Sequence, residues 1–136
     1  MTVKLIRVYK NKIIKNAKGN IIKYVSIKNI FFKKFGEIYF NSINPNQKKG
    51  WNFHNKNQCL VMCILGEVKF HFIDINLDER KIILKSTTSK ILKIPPRIWF
   101  SFKSARKKSI IANLIEKPHA EDEVQKKIKI KNYLIK

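Results

Sequence analysis

Apolar residues in this chain recur at alternate positions over short runs, and almost nowhere at the spacing of an amphipathic helix. Runs rich in Ile, Val, Phe and Tyr, broken by Asn, Gly and Pro, predict an all-β sandwich or barrel. The predicted strands are VKLIRVYK, IIKYVSIK, GEIYFNSI, CLVMCILGEVKFHFI, KIILKS, SKILKI, RIWFSFK and KSIIANLI. KNAKGN reads as a turn and NPNQKKG as a loop. Inside the longest run, LGEV predicts a tight turn joining two strands, with Gly66 at positive φ, and DINLDER predicts a hairpin loop. Pro95 and Pro96 cannot lie inside a central strand, so they mark a sharp entry to the next one. Only HAEDEVQKK has helical potential, and residues 125–136 read as a terminal strand or a loose basic tail.

One strand carries its polar residues together. In GEIYFNSI, Glu37, Tyr39 and Asn41 share one face and Ile38, Phe40 and Ser42 the other. That polar face is the solvent side of an ordinary sandwich; in a barrel with a polar mouth, the same residues would line a pocket.

Length and composition narrow the class. A chain of 136 residues with 44% hydrophobic residues is one domain with room for a real core. No apolar run approaches the ~20 residues that span a bilayer. The N-terminal MTVKLIRVYKNK lacks the apolar block of a signal peptide, so a cytoplasmic location is expected. The formal charge of +21 invites a nucleic-acid reading. Against it, only four of the 30 cationic residues are Arg, the residue that clamps base edges and phosphates, and the lysines are scattered. Lys, Ile and Asn make up 62 of the 136 residues, the bias of an AT-rich coding sequence. A solvated basic surface that favours an anionic small ligand is the expectation, not a nucleic-acid partner. Cys59 and Cys63 stand roughly 13 Å apart on one strand face, too far for a disulfide, and read as small buried hydrophobes.

Several short motifs then fall into register: Gly36-Glu37-x-Tyr39-Phe40, Trp51-x-x-His54, Gly66-Glu67-Val68, Pro95-Pro96-x-x-Trp99-Phe100 and Pro118-His119. Together, over residues 30 to 125, they resemble the dTDP-4-dehydrorhamnose 3,5-epimerase family of the cupin superfamily, in its short single-barrel branch. They are also similar to the nucleotide-sugar 3,4-ketoisomerases. The resemblance implies a jelly-roll barrel, a homodimer, and a nucleotide-linked 4-keto-6-deoxy sugar as ligand, a dTDP-sugar first among them. Full-length epimerases keep a catalytic histidine where this chain has Asn52, a lysine where it has Leu60, and often a histidine where it has Phe100. His54 occupies the place where the ketoisomerases keep an active-site histidine.

From these residues a site follows. Cupin metal sites gather about three imidazoles and a carboxylate, whereas the matching positions here are Asn52, His54, Gln58 and Phe100. No metal or other cofactor is therefore expected. An imidazole, with an ordinary pKa of ~6.5, suffices to take a proton next to a ketone, which makes His54 the expected base. Tyr39 and His119 are the candidate proton carriers beside it. Asn52 is a candidate hydrogen-bond donor to developing negative charge, and Glu37, Asn41 and Trp99 are candidate substrate contacts. Lys49 and Arg97 are the candidate diphosphate contacts. His71 reads as structural. The rival reading is a non-catalytic cupin that binds a sugar nucleotide or glycan.

Overall fold

The computed structural model describes residues 2–118 and three later strand segments, 124–125, 128–130 and 133–135. A 3₁₀ turn at Val3–Leu5 is followed by β1 (Arg7–Lys10), β2 (Ile13–Ile14), β3 (Ile21–Ile22), β4 (Glu37–Ile43), β5 (Lys48–His54), β6 (Cys59–Leu65) and β7 (Glu67–Ile73). Then come β8 (Glu79–Lys85), β9 (Lys90–Ile94), β10 (Trp99–Ser104), β11 (Ser109–Ile115), β12 (Val124–Gln125), β13 (Ile128–Ile130) and β14 (Tyr133–Ile135). No α-helix occurs among the described residues. Two five-stranded antiparallel sheets face each other, ordered β1-β9-β6-β11-β4 and β12-β5-β10-β7-β8, with β2-β3 and β13-β14 as separate ribbons. The chain forms the expected all-β, cupin-type jelly-roll barrel.

The barrel is held by what its facing strands put between them. Phe70 and Phe72 from β7 and Phe100 and Phe102 from β10 form a run of rings with centroids 5.6 to 6.2 Å apart. Val61, Leu92, Ile94, Ile111 and Ile115 meet them from the other sheet. Each buried phenylalanine contributes on the order of 2–3 kcal/mol. Cys59 to Cys63, the first part of β6, are buried throughout because the strand is central in its sheet and covered on both faces, which explains the absence of alternation there. Both thiols are unbridged, and burial pushes the Cys63 thiol up to about 11.

Four expectations change. Only Arg7–Lys10 of VKLIRVYK is strand, since the residues before it form the 3₁₀ turn. Most of IIKYVSIK is not strand either: Tyr24 and Val25, with Phe31, cover the outer face of the first sheet over Leu60, Met62, Ile91 and Leu114. The Tyr24 hydroxyl donates to the Leu60 carbonyl there, and its burial raises the phenol well above its ordinary pKa. Gly66 does have positive φ, +82°, but β6 and β7 belong to different sheets, so the turn is a crossover rather than a hairpin. A Cβ at Gly66 would lie 2.4 Å from Ser109 Oγ, which both accepts from the Glu67 amide and donates to the Glu67 carbonyl. Finally, within the stretch of helical potential, Val124–Gln125 is a strand paired to His54 and Phe53, because the edge of β5 offers it backbone partners. The hairpin over DINLDER forms as expected, between β7 and β8.

The register of β5 against β10 contains one irregularity that decides which side chains face inward. Phe100 pairs with Asn52, Ser101 with Gly50, and Phe102 with Lys49, so Trp51 is an extra residue, a β-bulge. Phe100 and Phe102 both face the core, and their partners Asn52 and Lys49 therefore share that face although they are three positions apart. Trp51 turns outward onto Ile73, Trp99 and Phe53, with the Lys48 ammonium 4.9 Å from its ring centroid. Gly50 makes the bulge possible: its φ is +115°, and a Cβ would lie 2.9 Å from both the Phe100 carbonyl oxygen and the Ser101 Cα. Replacing Gly50 by Val is expected to destabilise the fold by about 2–4 kcal/mol, combining steric clash and strained φ. Urea unfolding of the variant beside the parent measures this; an unchanged midpoint would show that the bulge tolerates a side chain.

Candidate functional site

The turn Asn44–Gln47 carries the chain from β4, at the edge of one sheet, to β5 in the other. Where these strands face each other the interior changes character from hydrocarbon to amide, phenol and imidazole. β4 alternates half-buried and exposed, and it is the polar set, Glu37, Tyr39 and Asn41, that is half-buried. Ile38 and Phe40 point outward, 44% and 67% exposed. The polar face is thus the barrel's interior side, not its solvent side.

A cavity at this end is lined by Tyr39 and Asn41 from β4, Asn52 and His54 from β5, and Asn113 from β11, over a floor that includes Phe100 and Phe102. The His54 ring is buried and stacks on Phe100, 6.0 Å between centroids and 12° between planes. Its backbone carbonyl accepts from the Arg97 amide at 2.8 Å, and Arg97 itself is exposed in a left-handed turn, φ +61°, after Pro95 and Pro96. That contact ties the turn to the strand end carrying the imidazole. The Lys49 ammonium donates to Asn41 Oδ1 at 2.6 Å, bridging β5 to β4. Asn113 Nδ2 donates to the Tyr39 hydroxyl at 2.8 Å. The free space enclosed by these groups is about 20 Å³, the room of one water molecule.

Of the residues expected at a site, the structure brings Tyr39, Asn41, Asn52 and His54 to one cavity, with Lys49 bonded to one of its walls. Glu37 shares their strand face but is not among the lining residues. Trp99 is directed elsewhere: the alternation that turns Phe100 inward turns Trp99 outward, against Phe53 at 4.9 Å between ring centroids. From this strand it is Phe100 and Phe102 that reach the cavity. His119 lies outside the described residues. His71 is on the outer face, its Nε2 2.5 Å from Glu79 Oε1 and its ring edge-on to Trp51. Among the described residues no group of three His, Cys, Asp or Glu side chains converges as a metal site would require. Sequence reasoning missed Asn113. Its signal was a polar residue midway along KSIIANLI, on the face that Ile111 and Ile115 bury.

Comparison with known proteins agrees with this architecture. A dTDP sugar isomerase from Desulfovibrio desulfuricans superposes with a TM-score of 0.86 at 22% identity, over 91% of this chain and 84% of that one. A variant of the 3,4-ketoisomerase QdtA from Thermoanaerobacterium thermosaccharolyticum, in complex with TDP-4-keto-6-deoxyglucose, gives 0.74 at 21% identity over 85% and 83%. The 3,5-epimerase RmlC from Legionella pneumophila, in complex with dTDP-4-keto-L-rhamnose, gives 0.75 at 16% over 86% and 69%. Among curated proteins, none matches the sequence. The family model described as FdtA, WxcM-like, C-terminal, matches residues 1–133. The expected kinship with epimerase-like cupins holds, and the chain belongs to the FdtA family, WxcM-like, C-terminal.

Proposed function

We propose that this protein is an isomerase of a nucleotide-linked 4-keto-6-deoxy sugar, of the 3,4-ketoisomerase or 3,5-epimerase type, acting through an enolate with His54 as base. The observation that carries the reading is the placement of His54, Tyr39 and Asn52 around one cavity in an otherwise apolar barrel. Membership of the family supports it, as do barrels of this shape that hold TDP-4-keto-6-deoxyglucose and dTDP-4-keto-L-rhamnose.

The chemistry follows from the groups. A ketone at C4 acidifies the proton on C3; His54 takes that proton, and the C–H electron pair becomes the C3–C4 double bond while the carbonyl pair moves to O4. Amide and phenol donors, Asn52 and Tyr39, stabilise the charge on O4. For ketoisomerisation, O4 gains a proton, the O3 hydroxyl loses one, and the imidazolium, after exchanging its proton with water, protonates C4, leaving a ketone at C3. One base on one face serves for both carbon proton transfers. Epimerisation requires a second group on the opposite face, for which Tyr39 and His119 are the candidates. Lys49 and the exposed Arg97, both next to the cavity, supply positive charge for the diphosphate.

A second reading has its own support. The narrowness of the cavity favours a non-catalytic cupin that holds the ligand at its mouth. Incubation with TDP-4-keto-6-deoxyglucose in deuterium oxide separates the two. The enzyme is expected to introduce solvent deuterium into the sugar, and His54→Gln to slow this about 10²–10⁴-fold while still binding the nucleotide. Tight binding with no deuterium incorporation by the parent would establish the binder instead.

The protein is also proposed to be a homodimer, as the resemblance implies. β4 is a sheet edge among the described strands, and its outward residues Ile38 and Phe40 are large, apolar and exposed. A second copy would cover both the edge and these side chains. Sedimentation at micromolar concentration is expected to give twice the chain mass, and Phe40→Lys to shift the protein toward one chain mass. A parent sedimenting as a single chain would refute the dimer.

A further inference from the structure

Asn113 has a buried amide that the fold does not fully use. The residue is 5% exposed, lines the cavity, and spends its Nδ2 on the Tyr39 hydroxyl, while its Oδ1 has no hydrogen-bond partner among the described residues. Leaving such an atom unpaired in a buried site is destabilising, because its lost hydration is not replaced. Packing alone gives no reason to keep it, because Leu has the same branched outline without that penalty. The neighbours on its face, Ile111 and Ile115, are the residue type the barrel otherwise selects.

We infer that Asn113 has two linked roles in the site: it positions the Tyr39 phenol, and its remaining polar atom takes a hydroxyl of the bound sugar. The inference rests on the sugar-nucleotide reading above and adds a specificity-determining residue to it. A hydroxyl fits because it both donates and accepts, so it satisfies the amide whichever of its ends faces Tyr39. Because Asn113 lies on β11, beside β4 and across the barrel from β5, it meets the sugar from the side opposite the imidazole. The selected group is thus on the sugar ring and not on the nucleotide, whose diphosphate is drawn to Lys49 and Arg97 at the mouth. The amide holds the phenol through one directional bond, so it also fixes where the Tyr39 oxygen stands relative to that ring.

The test is Asn113→Leu. A purely structural asparagine and a ligand-reading one predict different outcomes for it. The variant is expected to melt at or above the parent temperature, since it removes a buried unpaired atom. It should bind dTDP within about twofold of the parent yet lose at least about tenfold in affinity for dTDP-glucose, erasing the preference that the sugar hydroxyls provide. In the deuterium assay its KM should rise and its kcat fall. Removing the Tyr39 hydroxyl by Tyr39→Phe should then cost less in the Asn113→Leu background than in the parent, because the two side chains act as a unit. An Asn113→Leu protein that keeps the parent's preference for dTDP-glucose over dTDP would overturn the inference and leave the proposed isomerase intact. A parent that prefers dTDP-glucose but exchanges no deuterium would remove the isomerase while the binding comparison still decides the role of Asn113. A parent that binds neither nucleotide would overturn both.

Discussion

The four phenylalanines of β7 and β10 are the surface on which everything else in this barrel is placed. Their rings fill the space between the sheets at one end and stop where β4 and β5 face each other, and it is over that limit that His54 lies flat on Phe100. An imidazole in this position is held by a broad apolar contact from below and by its strand's backbone bond to Arg97. Packing on Phe100 thus contributes to its orientation. The amides of Asn41, Asn52 and Asn113 stand around it in the cavity wall. Such division of labour, an apolar floor fixing geometry and a polar rim supplying chemistry, is common to pre-formed small-molecule sites.

Much of the fold could be read from alternation and punctuation. GEIYFNSI, KIILKS, SKILKI, RIWFSFK and KSIIANLI each contain the strand expected of them, because their periodicity is set by burial on one or both faces. The failures share a cause. Nothing in LGEV distinguishes a hairpin from a change of sheet, since either turn wants glycine with positive φ; only the distant Ser109 decides. IIKYVSIK has the composition of a strand but serves as a lid over Leu60 and Met62, a role fixed by tertiary contacts that local pattern does not encode.

The site was legible in part, and the limits are again physical. Tyr39, Asn41, Asn52 and His54 follow simple alternation and meet as their spacing implies. Lys49 does not: counting back from His54 in twos would place Lys48 inside and Lys49 outside, and the bulge reverses this. Trp99, expected as a substrate contact, faces away from the cavity because it adjoins the inward Phe100, and adjacent residues in a strand face opposite ways. The polar face of β4 carried an ambiguity between solvent and pocket that only the closing of the barrel could resolve. The basic composition, by contrast, bears little on the interior: no Lys, Arg, Asp or Glu is among the lining residues of the cavity.

The extra residue at Trp51 has a consequence for how such a chain can vary. The turn Asn44–Gln47 lies ahead of β5, so its length can change without altering which side chains of β5 look inward. Between Lys49 and His54 the extra residue is itself the variable. Deleting it would restore continuous pairing with β10 and still leave Lys49 and His54 in phase, since five residues of regular strand put both ends on one face. What would be lost is the indole packed on the outer face against Ile73, Trp99 and Phe53. The bulge therefore adds an outward anchor to β5 without disturbing its inward set, and the interior chemistry of this strand survives a one-residue change in length that its exterior does not.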